Sequence, residues 1–331
     1  MRLLIKLFSL VVLVVITVLG GFWWWANQPL SLRTSPLDFR VVSGSSLRAA
    51  ITQIQGAGVE VEPTLLALLA KAKRAETSIK AGSYAINQGI TPLQLLDKLL
   101  QGKVSLGQLT LVEGWTIRQW RDKINSSNEL THETRELTDR QIAEQIGLKS
   151  ESLEGWLFPD TYLFDKHSSD LDVFARAARI MQNKLQSEWA SRDEGLPYKT
   201  PHDALVMASI VEKETGLNAD RSMVAAVFVN RLRKGMLLQT DPTVIYGLGE
   251  NYDGRLRKRD LQTDTPYNTY TRTGLPPTPI AMPGLSSLQA AMHPAKSNAL
   301  YFVAKGDGGS EFSHTLDDHN RAVNKYIRGR K

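Results

Sequence analysis

From Leu7 to Phe22 the chain carries no charged residue, and three indoles follow, Trp23 to Trp25. Together they give roughly the 20 apolar residues that a helix needs to cross a bilayer. Beyond Asn27 the pattern breaks into shorter runs. One arrangement recurs three times between Phe39 and Asn125, in "VVSGSSLRAAITQI", "INQGITPLQLLDKL" and "LVEGWTIRQWRDKI". Each copy has a β-like run, then Gly-x-Ser or Gly-x-Thr, then an amphipathic helix. Gly44, Gly89 and Gly114 permit a tight strand-to-helix turn, and Ser46, Thr91 and Thr116 can accept a bond from the free N–H groups of the next helix. In the second copy Pro92 falls at the first helical position, where its missing donor costs nothing.

Such units can be plain packing modules. The functional alternative is a carbohydrate-binding module of the LysM-like kind, built from strand–helix–helix–strand units. The polar stretch around Ser126 to Arg140 has few apolar residues and reads as a loop or linker. Then "SSDLDVFARAARIMQNKLQSEWASR" has apolar residues at helical spacing, and "GLPYKTP" ends it. Two more helices follow, in "TPHDALVMASIVEKETG" and "DRSMVAAVFVNRLRKG", the second with Asp220 as its N-cap and Gly235 at its C-terminal end. The expected fold is α+β: a tail over 1–6, a transmembrane helix over 7–26, a LysM-like strand/helix region over 27–125, a linker over 126–145 and a mainly helical α+β domain over 146–331.

The N-terminal run could also be a cleaved leader, but a leader has a shorter apolar core followed by small residues, and here bulky indoles follow. Arg2 and Lys6 flank its N-terminal side, which leaves the short tail in the cytoplasm and everything after about Asn27 outside. The chain has no cysteine, so a disulfide framework, a thiolate metal site and a cysteine nucleophile are all excluded. The net charge of +6 comes from 40 basic and 34 acidic residues interleaved along the chain. That pattern suits weak attraction to anionic lipid and cell wall, not nucleic acid.

Within "ASIVEKETG" two glutamates stand two residues apart at the end of a helix capped by Thr200, Pro201 and Asp203 and closed by Gly216 as a left-handed terminator. At about 100° per residue, Glu214 falls in the arc of Val206, Met207, Ile210 and Val211, and Glu212 falls near Leu205, Ala208 and Ser209. The two side chains diverge by about 160°, so they cannot share one sugar as a carboxylate pair. A carboxylate in an apolar arc loses hydration, and in the last helical turn it also meets the negative end of the macrodipole. Both effects favour the protonated form that a general acid needs. The competing reading is a frayed helix end with Glu214 in solvent, paired with Lys184.

After this helix pair come polar and aromatic groups in dense stretches read as non-helical: "LQTDPTVIYGLG", "TPYNTYTRTGLPPTPI" and "AAMHPAKSNALYF". Tyr246, Tyr267 and Tyr270 offer flat faces with a polar tip, and Gln239, Asp241, Asn268 and Thr269 offer donors and acceptors. Such a mixture suits a sugar, apolar on its ring faces and hydroxylated at its edges. Each tyrosine alone could be a core residue with a satisfied hydroxyl. His293, His314 and His319 are scattered, without metal-ligand spacing, so no metal and no other cofactor is expected.

The segments "EGWLFPDTYLF", "SIVEKETG", "VFVNRLRKGM", "LQTDPTVIYGLG", "TPYNTYTRTGLPPTPI" and "HPAKSNALYFVA" together resemble the MltG (YceG-like) endolytic murein transglycosylases, from the anchor nearly to the C-terminus. The resemblance implies a single-pass inner-membrane protein with a LysM-like region and a catalytic domain in the periplasm, cutting peptidoglycan glycan strands internally. It implies inner-membrane lipid around the anchor and association with peptidoglycan polymerases. It also implies that the second glutamate of E-K-E-T, Glu214, is the essential acid, with Glu212 in a supporting role. Two other readings stay open: a muramidase that uses Asp241 or another acid as partner, and a wall-binding scaffold with an idle C-terminal domain.

Overall fold

The computed structural model describes residues 2–75 and 77–329, without the side chains of Arg2 and Leu3. Met1, the Arg2 side chain, Arg330 and Lys331, at the ends of the expected tail and catalytic domain, lie outside the described residues. In chain order the elements are α1 (Arg2–Ala26), β1 (Ser31–Leu32), β2 (Leu37–Val41), α2 (Leu47–Gly56), β3 (Val59–Glu60), α3 (Pro63–Ala72), β4 (Gly82–Ile86), α4 (Pro92–Gln101) and β5 (Leu106–Leu111). They continue with α5 (Ile117–Asn125), β6 (Leu130–Thr131), α6 (Asp139–Gln145), β7 (Asp160–Asp165), β8 (Ser168–Ser169), α7 (Asp170–Ala190), α8 (Pro201–Glu214) and α9 (Asn218–Arg233). Last come α10 (Asp241–Leu248), α11 (Lys258–Gln262), α12 (Leu285–Met292), β9 (Tyr301–Ala304), β10 (Ser310–Ser313) and α13 (Leu316–Val323).

The architecture is mixed α and β, in two compact units. The first runs from α1 to Gln108 and takes in Glu129–Thr131 and Leu163–Ser168. In it β2 and β4 pair antiparallel, Leu37 opposite Ile86 and Val41 opposite Gly82, with α2 and α3 between them in the chain. Phe39, Tyr84, Ile54, Leu66, Leu95 and Leu99 fill its core. The span Leu4–Ala26 of α1 is long and apolar enough to cross a membrane, and its most apolar stretch is not buried. Its end is tied in: Ala26 and Leu30 are buried in this core and Phe22 and Trp25 pack against it, while Trp23 and Trp24 stay exposed.

All three strand-to-helix turns form as their residues dictate. Gly44, Gly89 and Gly114 have φ of 79°, 91° and 74°, in the region that glycine enters without steric cost. The side chains of Ser46, Thr91 and Thr116 accept the N–H of Ala49, Gln94 and Gln119. The third copy, Leu111–Ile124, lies wholly in the second unit, whereas Leu106–Gln108 at the start of β5 belong to the first. Gly114 fastens the copy there: its N–H donates to Met282 O at 2.8 Å and its carbonyl accepts from Lys213 Nζ at 3.2 Å, both within the second unit.

The second unit comprises Leu109–Asn128, His132–Tyr162 and the chain from Ser169 on. Residues 126–145, expected as a linker, are instead built into structure: α6 forms there with Ile142 and Ala143 buried. The buried carboxylate of Asp170 accepts the N–H groups of Glu133 and Thr134 and the Thr134 hydroxyl at 2.7 Å. These polar residues are hydrogen-bonded inward, and so their composition misleads.

The core of this unit surrounds α8, whose residues Ala204 to Val211 are all buried. Thr200 caps it in a reciprocal box, accepting from Asp203 N while Asp203 Oδ2 accepts from Thr200 N. The helix stops at Glu214 because Thr215 is extended, at φ −146° and ψ 131°. Gly216 is therefore not its left-handed terminator. Likewise Leu217 occupies the N-cap position of α9, and Asp220 lies in the first turn, accepting from Ser310 N at 2.7 Å. Replacing the box, Thr200→Ala, is expected to lower unfolding stability by about 1 kcal/mol in urea denaturation, because Asp203 N–H then loses its side-chain acceptor and keeps only the Thr200 carbonyl.

Candidate functional site

Glu214 sits on the last turn of α8 and lines a cleft of about 390 Å3 in the second unit. Phe228 and Arg231 of α9, Leu238, Gln239 and Asp241 before and on α10, Tyr270, Tyr301 and Phe302 of β9, and Leu316 and His319 of α13 form its other walls. A larger hollow of about 870 Å3, bordered by Asn230, Arg233 and His314, holds none of the candidate residues. Size alone does not mark the site.

The carboxyl of Glu214 accepts a short hydrogen bond from the Thr240 hydroxyl. Thr240 is fixed in turn: its N–H donates to Thr269 Oγ1 at 3.1 Å, and Gln239 N–H donates to Thr269 O at 3.1 Å. Gln239 holds a left-handed backbone, φ 53°, to make that connection, a conformation that costs a non-glycine residue energy. Burial raises the proton affinity of Glu214, the Thr240 hydrogen bond opposes this, and the nearby charge of Asp241 adds to the rise. The frayed-end alternative fails, since Lys184 lies over the Phe158 ring, 4.6 Å from its centroid.

Glu212 has a different environment. Its Oε1 lies 3.3 Å from Arg221 Nη2, with both side chains under a tenth exposed, and its Oε2 accepts from Gly284 N at 3.0 Å. Gly284 is the N-cap of α12, so Glu212 ties the end of α8 to α9 and to the positive end of the α12 macrodipole. Charge pairing and a helix N-terminus keep this acid from the cleft.

Four of the expected residues meet in the cleft: Glu214, Gln239, Asp241 and Tyr270. The Tyr270 hydroxyl donates to Asp241 Oδ1 at 2.5 Å. Asn268 is corrected: it is fully buried, its amide donating to the carbonyls of Asp260, Leu261 and Thr263 while its oxygen accepts from Tyr270 N. It holds a loop and offers no group to a ligand. Tyr246 and Tyr267 lie outside the cleft lining and pack edge to face, centroids 4.9 Å apart, with their hydroxyls on Glu154 and Thr278. Thr269 is likewise buried beneath Thr240. The stretch around Asp241 is also not loop: α10 starts there, because Pro242 occupies the first turn, where a proline breaks no bond.

Arg231, Tyr301, Phe302, Leu316 and His319 were missed. Tyr301, Phe302, Leu316 and His319 reach the cleft by chain reversal after α12, which brings β9 of the β9–β10 hairpin, Phe302 opposite Phe312, onto α9 and α13 onto the hairpin, while Arg231 comes from the last turn of α9 itself. No local pattern signals that. Also missed was Glu154 of "EGWLFPDTYLF", 1% exposed, which accepts from Ile117 N at 3.1 Å and from the Tyr246 hydroxyl at 3.2 Å.

A half-buried carboxyl held towards its neutral form at the edge of a cleft with tyrosine, amide and apolar walls is an arrangement that suits a general acid acting on a sugar-like substrate. The comparisons agree with that class. The YceG-like family model matches residues 39–325. An endolytic murein transglycosylase of Bacillus subtilis (strain 168) is 35% identical over 308 residues, 88% of this chain and 85% of its own length. That of Streptococcus pneumoniae serotype 2 (strain D39) is 26% identical over 365 residues, 98% of this chain and 66% of its own. A crystal structure of a YceG-like protein from Listeria monocytogenes superposes with a TM-score of 0.54 at 32% identity, over 86% of this chain and 98% of that one. The chain belongs to the YceG-like family.

Burial pushes the Glu154 carboxyl up from 4.5 to about 8, against the hydrogen bonds of Ile117 and Tyr246. Between these two values the folded state holds a proton that the unfolded state has released, so stability falls as pH rises from about 4.5 to about 8. Glu154→Gln is expected to flatten that slope in denaturation curves taken across this range.

Proposed function

We propose that this protein is a membrane-anchored endolytic lytic transglycosylase, which cleaves peptidoglycan glycan strands between MurNAc and GlcNAc without water and leaves 1,6-anhydro ends. The observation that carries the reading is Glu214, a half-buried carboxyl held towards its neutral form that opens on a cleft in which the other acid, Asp241, is already bound by Tyr270. Hydrolysis at a glycosidic bond ordinarily needs two available carboxyl groups. Intramolecular closure by the muramyl C6 hydroxyl needs one.

In that reaction protonated Glu214 gives its proton to the glycosidic oxygen as the C1–O bond breaks. The ionised carboxylate then takes the proton of the C6 hydroxyl as its oxygen bonds to C1, and the acid is regenerated. The Thr240 hydroxyl, donating to Glu214, holds the carboxyl in place and stabilises its ionised form between the steps. Gln239 and Tyr270 are proposed to bind the sugars. The relatives named for this activity and the family membership support the assignment.

The β2–α2–α3–β4 order of the first unit supports reading that unit as a LysM-like wall-binding region. The apolar span of α1 supports a single-pass anchor with its short tail in the cytoplasm, the enzyme in the periplasm and glycan polymerases as neighbours at the inner membrane. One competing reading has an observation behind it: Asp241 acts electrostatically on Glu214, so hydrolysis with Asp241 as partner is the alternative. Mass spectrometry of glycan digests separates the two. Wild type is expected to yield anhydro-muramyl ends, and Glu214→Gln to reduce their rate of formation by about 100-fold or more; reducing ends would favour the muramidase.

A further inference from the structure

We propose that Arg231 is the anion-recognition residue of the cleft: its free Nη2 edge binds a negatively charged group carried by the glycan strand and so selects charged strands over neutral ones. The proposal rests on the reading of this cleft as a glycan-cleaving site.

Arg231 projects from the last turn of α9 and is 7% exposed. Its Nε donates to Leu300 O at 2.7 Å, and its Nη1 donates to the carbonyls of Leu237 and Leu238 and to Gln239 Oε1, at 3.0 to 3.2 Å. The Tyr301 ring lies 5.1 Å from its Cζ. All four acceptors are neutral, and among the described residues Nη2 has no acceptor and the guanidinium has no carboxylate partner. Arg221 on the same helix makes the contrast: equally buried, it is paired with Glu212.

A buried charge without a counter-ion is costly. A lysine there could shed its proton, but a guanidinium stays charged even where burial weakens its hold on the proton, as it does here. The charge therefore remains in the cleft wall. None of the other titratable groups of the lining pairs with it. Glu214 is held towards its neutral form, and Asp241 is bonded to Tyr270. Burial and then Arg231 itself hold His319 towards its neutral form as well, with Nδ1 unpartnered. A ligand anion at Nη2 would complete the pairing with a charge-assisted bond.

The sugar rings of a glycan strand are neutral. The anion is a carboxylate or a phosphate, borne either by the peptide substituents on the muramyl units or by the lipid-linked end of a growing strand. Initial rates of cleavage by the full-length protein in detergent, at low and high salt, distinguish these sources. The substrates are native strands, strands with their peptide carboxylates amidated, and strands with the terminal phosphate removed.

Loss of the recognised anion is expected to raise KM about tenfold or more, with kcat within about twofold because Glu214 is untouched, and high salt should shrink the difference. Amidation alone having this effect assigns peptide carboxylates, and dephosphorylation alone assigns the strand end. Equal KM for all three strands would overturn the proposal while leaving the enzyme reading intact, whereas no cleavage of any strand would overturn both. Arg231→Gln also loses bonds to two loops and can unfold them, so the substrate series is decisive. Where the folded variant is recovered, as shown by an unchanged thermal transition, it should treat native and modified strands alike, and Arg231→Lys should keep part of the preference.

Discussion

The burial of α8 on every side is the constraint from which the site follows. A helix with eight consecutive buried residues, Ala204 to Val211, emerges from the core at its C-terminal end only in the last turn, where Glu214 is half-buried and Lys213 is exposed. Its neighbours α7, α9, α10 and α12 close around it. Glu214 lines the cleft, half-buried, at the helix end where the macrodipole opposes negative charge. Dry surroundings and dipole act in one direction, and the hydroxyl of Thr240 limits how far they go. A carboxyl that must give up a proton and recover it within one turnover needs that balance.

The same end of α8 carries a second glutamate with the opposite fate. Glu212 is also removed from water, yet it meets Arg221 and the N-terminus of α12. Two acids of one helix turn are separated into one paired with arginine that clasps three helices and one, held towards its neutral form, that lines the cleft. Partners, not depth, divide the roles.

Much of this was readable in the chain. Cap residues placed α8 at its first residue, and the three Gly-x-Ser/Thr turns formed where glycine and hydroxyl demanded. Helical phase separated Glu214 from Glu212 correctly, although its premise of one apolar arc was too simple, because Leu205 and Ala208 on the other side are buried as well. What could not be read is long-range. Thr240 reaches Glu214 from 26 positions away, His319 enters the cleft through chain reversal, and Asn268 looked like a ligand because nothing local shows that three carbonyls at the end of α11 and just after it take up its amide. The apparent linker failed for a similar reason: a single buried acceptor, Asp170, orders a polar stretch from 36 residues downstream.

The central claim is that the fold keeps Glu214 protonated in the free protein. It is tested most directly by 13C NMR of carboxyl-labelled glutamate across pH, the Glu214 signal being assigned by its loss in Glu214→Gln. The account predicts a signal that titrates clearly above the ordinary value of 4.5. A Glu214 carboxyl that ionises at or below that value would contradict it.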